Sequence, residues 1–125
     1  MKEIINSKSA PAPIGPYSQA IKAGNTLYIS GQIPLNESTG NLVEGSIEDE
    51  TEQVMKNLLY ILEEAGLTFQ DVVKCSIFVS DMGNFSRINE VYGRYFIDNP
   101  PARETVEVSR LPKDVNVEIS CIAHF

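Results

Sequence analysis

The sequence predicts an α+β domain built as one mixed sheet with two helices on one of its faces, in the order β-β-α-β-α-β-β. Three observations predict it. Two segments, Ser46 to Ala65 and Asp81 to about Phe96, repeat their apolar residues at helical spacing. Five others alternate apolar and polar residues as half-buried strands do. At 125 residues the chain holds one hydrophobic core, so residues 1–125 form a single domain.

Pro11, Pro13 and Pro16 stiffen a loop ahead of the first firm strand, and a further short strand can precede that loop. Ser18 to Ala23 and Thr26 to Ser30 read as a hairpin around Gly24-Asn25, a pair that tolerates positive φ. Gly31 and Pro34 end the second strand, and Asn36 to Gly40 is rich in turn formers. In the first helix Ile47, Thr51, Val54, Met55, Leu58, Ile61, Leu62 and Ala65 share one face. Ser46 with Asp49 resembles a capping box, and Gly66 suits the left-handed position past the helix end. Glu48, Asp49, Glu50 and Glu52 fall in the first turns, where the helix dipole favours anions. This run therefore has a structural explanation without any ligand.

Val72 to Ser80 reads as a strand with Val73, Cys75, Ile77 and Val79 on one face. Asp81 is placed to cap the second helix, whose stripe is Phe85, Ile88, Tyr92, Tyr95 and Phe96, and Asn99-Pro100-Pro101 closes it. Glu104 to Ser109 and Val115 to His124 are the last strands, joined through Leu111-Pro112-Lys113-Asp114, and Arg110 belongs to that turn. Two helices cover one face of such a sheet. The simplest cover for the other face is a second copy of the chain.

Composition narrows the function. Hydrophobic residues at 42% and charged residues at 22% are ordinary for a folded domain. No apolar run approaches the roughly 18 residues of a membrane span. The N-terminal Met1 to Asn6 lacks the apolar centre of a signal peptide, so a cytoplasmic location is expected. A net charge of −7 argues against nucleic acid and against anionic membrane surfaces, because binding there needs phosphate neutralisation by Lys and Arg. All four arginines, Arg87, Arg94, Arg103 and Arg110, lie in the last third, which leaves room for a local cationic site. Two cysteines, Cys75 and Cys121, and one histidine, His124, are too few for a tetrahedral metal site. A Cys–His nucleophile pair is the covalent alternative that composition leaves. The strand positions of both cysteines favour two small buried hydrophobes instead.

Alternation sorts side chains by face. With Val117, Ile119 and Cys121 toward the helices, Glu118 points away. With Val106 and Val108 inward, Arg103, Thr105 and Glu107 point away. With Leu27 and Ile29 inward, Tyr28 and Ser30 point away. Ser30, Arg103, Thr105 and Glu118 are thus expected together on the uncovered face, provided no bulge shifts the register. An acid buried there needs a basic or hydrogen-bonding partner, and Arg103 is the nearest.

Three stretches carry a resemblance. Ile14-Gly15-Pro16-Tyr17-Ser18-Gln19-Ala20, Ser30-Gly31-Gln32-Ile33-Pro34, and Pro101-Ala102-Arg103 followed by Val106 to Val115 and Val117-Glu118-Ile119 resemble the RidA/YjgF family of imine deaminases. The likeness implies a chorismate-mutase-like fold assembled as a homotrimer with ligand clefts between subunits. It implies hydrolysis of 2-imino acids and their enamine tautomers, such as 2-aminoacrylate and 2-iminobutyrate, to 2-oxo acids and ammonia, with no metal or cofactor. These reactive species leak from pyridoxal-phosphate enzymes of amino-acid metabolism. Arg103 would hold the substrate carboxylate and Glu118 would activate water. Tyr17, Ser30, Gly31, Asn89 and Thr105 would line the cleft, Thr105 through its backbone. Many members have cysteine at position 105, and threonine here removes any thiol-dependent behaviour at that point. The alternative is a non-catalytic trimer that binds 2-oxo acids or other small carboxylates.

Overall fold

A computed structural model describes Met1–Phe125. Its strands are β1 (Lys2–Ile5), β2 (Ala20–Ala23), β3 (Thr26–Gln32), β4 (Leu35–Asn36), β5 (Asn41–Leu42), β6 (Val72–Val79), β7 (Ala102–Glu107) and β8 (Val117–His124). The helices are α1 (Ile47–Glu64) and α2 (Phe85–Gly93). Six strands form one mixed sheet in the order β1-β2-β3-β8-β6-β7, and β4 pairs with β5 as a separate small hairpin. Only β6 and β7 are parallel, because α2 carries the chain from one to the other as a crossover. No helix is long and apolar enough to cross a membrane.

The expected periodicity of α1 becomes its buried face. Val54, Met55, Leu58, Ile61 and Leu62 are fully buried against Leu27, Ile77, Val79, Val117, Ile119 and Ala123 of the sheet. Each such side chain contributes roughly 1.5–3 kcal/mol by leaving water. Ser46 Oγ accepts the Asp49 N–H at 3.0 Å, and Gly66 takes φ of +78° just past the helix. The acidic run does more than favour the dipole. Glu48 accepts two bonds from Arg87 of α2, at 2.9 and 2.6 Å, and Glu52 accepts the Tyr95 hydroxyl. Glu50, nearly buried, accepts the Asn116 side-chain amide at 2.9 Å. These bonds fix α1 to α2 and to the start of β8.

Several expected details shift. Asp81 caps a 3-10 turn, Met82–Asn84, by accepting from Gly83 N–H at 2.8 Å, and α2 begins only after that turn. The helix ends at Gly93 rather than near Phe96. A register shift between Val72 and Lys74 turns Val72 inward and leaves Val73 exposed, because one extra residue in a ladder reverses the alternation beyond it. A second shift in β3 lies between Ile29 and Gln32. In β7 the face assignment reverses. Arg103, Thr105 and Glu107 pair in register with the core residues Cys75, Ile77 and Val79, so they lie on the helix side. Glu104 and Val106 lie on the open side, opposite Ser76 and Phe78. The physical reason is that β7 is an edge strand, where an apolar valine need not face the helices.

The irregular segment between β1 and β2 is organised by Gln19, which is 1% exposed. Its Oε1 accepts Ser7 N–H at 2.7 Å, and its Nε2 donates to Ser7 O at 3.0 Å, Ala10 O at 3.3 Å and Pro11 O at 2.9 Å. Gln19→Ala strands these backbone groups without partners. It is expected to lower unfolding free energy by about 1–3 kcal/mol in urea titrations. A change below about 0.5 kcal/mol would show that the loop is held by other means.

Candidate active site

Two clefts contain the expected site residues other than Thr105, and they lie on opposite faces of the sheet. The first, of about 470 Å³, is on the helix side at the β7 edge and is lined by Asn89, Tyr92, Gly93, Phe96, Pro100, Pro101 and Arg103. Strand β7 supplies Arg103 and α2 holds it. The guanidinium lies 4.9 Å over the Tyr92 ring and 5.6 Å from that of Phe85, and Nη1 donates to Asn89 Oδ1 at 2.6 Å. Phe85, Asn89 and Tyr92 follow one another at i, i+4 and i+7, so one face of α2 presents all three. Arg87, Arg94 and Arg110 each pair with an acid, Glu48, Glu90 and Asp114 respectively. Arg103 alone among the arginines pairs with no carboxylate of the chain. Its aromatic and amide neighbours set the plane of the fork while leaving donors for an incoming anion.

The second cleft, of about 500 Å³, is on the open side and is lined by Ile14, Tyr17, Ser30, Gly31, Ile33, Pro112, Lys113 and Glu118. The β3 irregularity builds it. Ser30 and Gly31 stand where β3 loses register with β8, and Gly31 lies against the Glu118 carboxylate. A Cβ at Gly31 would collide with Glu118 Oε2, so only glycine lets the acid lie flat on the backbone there. Ser30 Oγ donates to Ser18 O at 2.6 Å, which anchors the loop that carries Tyr17. Tyr17 is 52% exposed and projects from the loop rather than packing under the hairpin. The opposite wall is the Pro112–Asp114 turn. Lys113 and Asp114 both take left-handed φ, and Arg110 fixes the turn with two bonds to Asp114 at 2.5 and 3.1 Å. Such backbone strain is retained where surrounding contacts over-determine it.

Glu118 is half-buried and makes no side-chain hydrogen bond, and burial alone raises its pKa above the ordinary 4.5. Arg103 has no part in that shift, because it lies on the other side of the sheet. The expected convergence of Ser30, Arg103, Thr105 and Glu118 on one face therefore holds for Ser30 and Glu118 only. Thr105 lines neither cleft, and its hydroxyl is buried without a hydrogen-bond partner. Glu107 serves structure, accepting the Met82 N–H at 2.7 Å. The cysteines are both buried, and His124 is exposed at the end of β8, directly opposite Thr26.

Alternation did not reveal Tyr92 and Phe85 as a platform for Arg103, because both read as core aromatics. The available signal was Asn89 within their stripe: a polar residue on the apolar face of an amphipathic helix.

Comparison with known proteins places this geometry in a family. The family model described as Endoribonuclease L-PSP matches residues 7–125. A RutC family protein of Pyrococcus horikoshii is 56% identical, over 99% of this chain and 98% of that protein. A Mus musculus protein named 2-iminobutanoate/2-iminopropanoate deaminase is 45% identical, over 98% of this chain and 91% of that protein. The crystal structure of a putative endoribonuclease from Thermotoga maritima superposes with a TM-score of 0.97 at 50% identity, covering 100% of this chain and 98% of the other. A match of this extent, along nearly every residue of each partner, means that the chain belongs to the RidA/YjgF family.

Proposed function

We propose that the chain hydrolyses small 2-imino acids and their enamine tautomers to 2-oxo acids and ammonia, in clefts formed between copies of itself in a homotrimer. One observation carries this reading. The chain has an anion-binding half-site around Arg103 and an acid half-site around Glu118, separated by the thickness of its own sheet. Each half is open. The guanidinium has no carboxylate, and the carboxylate has no donor. A neighbouring copy laid on the open face, with its β7 edge at the Glu118 cleft, would complete both. The open face suits such a cover: Tyr28 and Val106 are exposed on it by 49% and 40%, and Phe78 and Ile122 lie between them. The mouse relative named as an imine deaminase supports the reaction class.

The chemistry follows from the two groups. A 2-imino acid is a small planar anion with an electrophilic carbon next to its carboxylate. Arg103 would take the carboxylate in paired hydrogen bonds, fixing position and plane, while the Tyr92 ring and Asn89 keep the fork from turning. The imine carbon would then face Glu118 across the interface. Ionised Glu118 takes a proton from water as its oxygen adds to that carbon. It returns the proton to nitrogen, then takes the proton of the new hydroxyl and passes it to the same nitrogen, so that the C–N bond breaks and ammonia leaves as the carbonyl forms. Ser30, Gly31, Tyr17 and the backbone at Thr105 would bound the substrate. Orientation with one proton shuttle suffices for a reaction that water performs slowly unaided.

A non-catalytic carboxylate-binding role uses the same Arg103 cleft, and Glu118 separates the two readings. Arg103→Ala is expected to lower kcat/KM by roughly tenfold to a hundredfold, the worth of a hydrogen bond to a charged group. The check is semicarbazide trapping of 2-iminobutyrate generated by a threonine dehydratase. Glu118→Gln should remove turnover while leaving pyruvate binding by calorimetry near the wild-type value. If the wild-type protein binds pyruvate without hastening imine loss, the binding reading replaces the enzyme reading. The net charge of −7 argues against the nucleic-acid role that the endoribonuclease description of the family model suggests.

The pH dependence has a definite sign. Water activation needs the Glu118 carboxylate, which burial makes easier to protonate. kcat/KM is therefore expected to fall as pH is lowered through the titration of Glu118. Residual activity of Glu118→Gln should show no such limb. A limb that persists unchanged in that variant would assign it to another group.

A further inference from the structure

Beneath Arg103 lies a cluster that the deaminase reading does not use. Arg103, Cys75 and Cys121 stand in register across β7, β6 and β8, one row on the helix side of the sheet. Cys75 and Cys121 are directly opposite each other on antiparallel strands, both with free thiols, 1% and 3% exposed. Tyr92 closes the row from above. Its ring carries the Arg103 guanidinium, and its buried hydroxyl has no hydrogen-bond partner.

Three features of this row match what a reactive thiol needs. Directly opposed residues of antiparallel strands have Cα atoms about 4.5–5.5 Å apart, inside the range of about 4.4–6.8 Å that a disulfide spans. Cys75 is polarised by its neighbours. The Cys121 thiol and the charge of Arg103, its in-register neighbour on β7, favour its thiolate and lower its pKa against the effect of burial. A buried thiol ordinarily shifts the other way, as Cys121 does, raised by Cys75 and by burial. In the row Cys75 stands between Arg103 and Cys121, so the strand that carries the guanidinium adjoins Cys75 alone, and Cys75 is the sulfur set to attack with Cys121 to resolve.

We propose that Cys75 and Cys121 form a reversible oxidation site for small peroxides, lying under the floor of the Arg103 cleft. The Cys75 thiolate attacks one peroxide oxygen and the O–O bond breaks. Sulfur is oxidised to a sulfenic acid, the peroxide gains both electrons, and the departing hydroxide takes a proton to become water. The Cys121 sulfur then attacks the Cys75 sulfur. An S–S bond forms, the S–O bond breaks, and the hydroxide leaves with the Cys121 proton as a second water. Two thiols and one peroxide become one disulfide and two waters. The product joins β6 to β8 within the chain.

The test uses the whole native protein and reads mass rather than turnover, so its failure is separate from failure of the deaminase reading. Hydrogen peroxide should remove both thiols together, with loss of two hydrogens by intact mass, a Cys75–Cys121 cross-linked peptide in non-reducing maps and full reversal by dithiothreitol. A bulky aromatic disulfide reagent should leave the folded protein unmodified, because both sulfurs are buried. In Cys121→Ala, dimedone should trap sulfenic acid on Cys75. In Cys75→Ala, Cys121 should stay reduced. Arg103→Gln removes the neighbouring charge, and oxidation should slow about tenfold. Thiols that remain reduced in the folded wild type until it is denatured would overturn the proposal. So would Cys121 reacting equally fast without Cys75.

Discussion

The parallel pairing of β7 on β6 is the constraint on which the rest depends. It places Arg103 beside Cys75 and Glu104 beside Ser76, and so decides which side of the sheet each occupies. A slip of one residue would carry the guanidinium to the open face and Glu104 to the helices, since strand side chains alternate with a period of two. The observed register is held from both sides. On the open side Lys74 and Ser76 engage Glu104, and on the helix side Asn89 and two aromatic rings engage Arg103. The crossover through α2 makes the pairing parallel. The same helix supplies the platform, so topology and the anion cleft have one origin.

The division of charge follows from this. A guanidinium and a carboxylate on opposite faces do not neutralise each other, so each keeps its capacity for an external partner. Had they met within one chain, the result would resemble Arg87 with Glu48 or Arg110 with Asp114: a satisfied ion pair with little to offer a substrate. In the proposed assembly each chain brings two incomplete sites, and each is paired with its complement. Gly31 shows the same economy, a residue without a side chain where a half-buried acid must lie against backbone.

Much of the fold was legible in the sequence because its signals are local. The α1 stripe, the Ser46 cap, Gly66 and the Gly24 turn depend on neighbours a few residues away, and each is found where expected. The faces of β8 were equally clear, since Val117, Ile119 and Cys121 alternate with polar Glu118 and Ser120 over a whole central strand. Reading β7 failed because its cue was Val106, and on an edge strand an apolar side chain can face out when that face is itself apolar. Val73 misled for a related reason: a bulge moved it, and bulges leave no mark in composition. Gln19 and Asn57 were silent too. Both are buried polar residues held by backbone carbonyls that only the tertiary structure brings near, Ile33 and Leu35 in the case of Asn57. Residues of both clefts were named from motif and parity, but their division between faces required the strand register.

Subunit mixing tests the shared cleft most directly. Arg103→Ala and Glu118→Gln proteins are each prepared alone, then unfolded, combined in equal amounts and refolded together. If each cleft takes its arginine from one chain and its acid from the next, random assembly leaves roughly a quarter of clefts with both groups intact. Imine hydrolysis should then rise to about that fraction of wild type, above the roughly tenth or less that the Arg103→Ala parent retains and the absence of turnover in Glu118→Gln. Mixed assemblies no more active than the parents would contradict the account, because they would place both groups of a working site on a single chain.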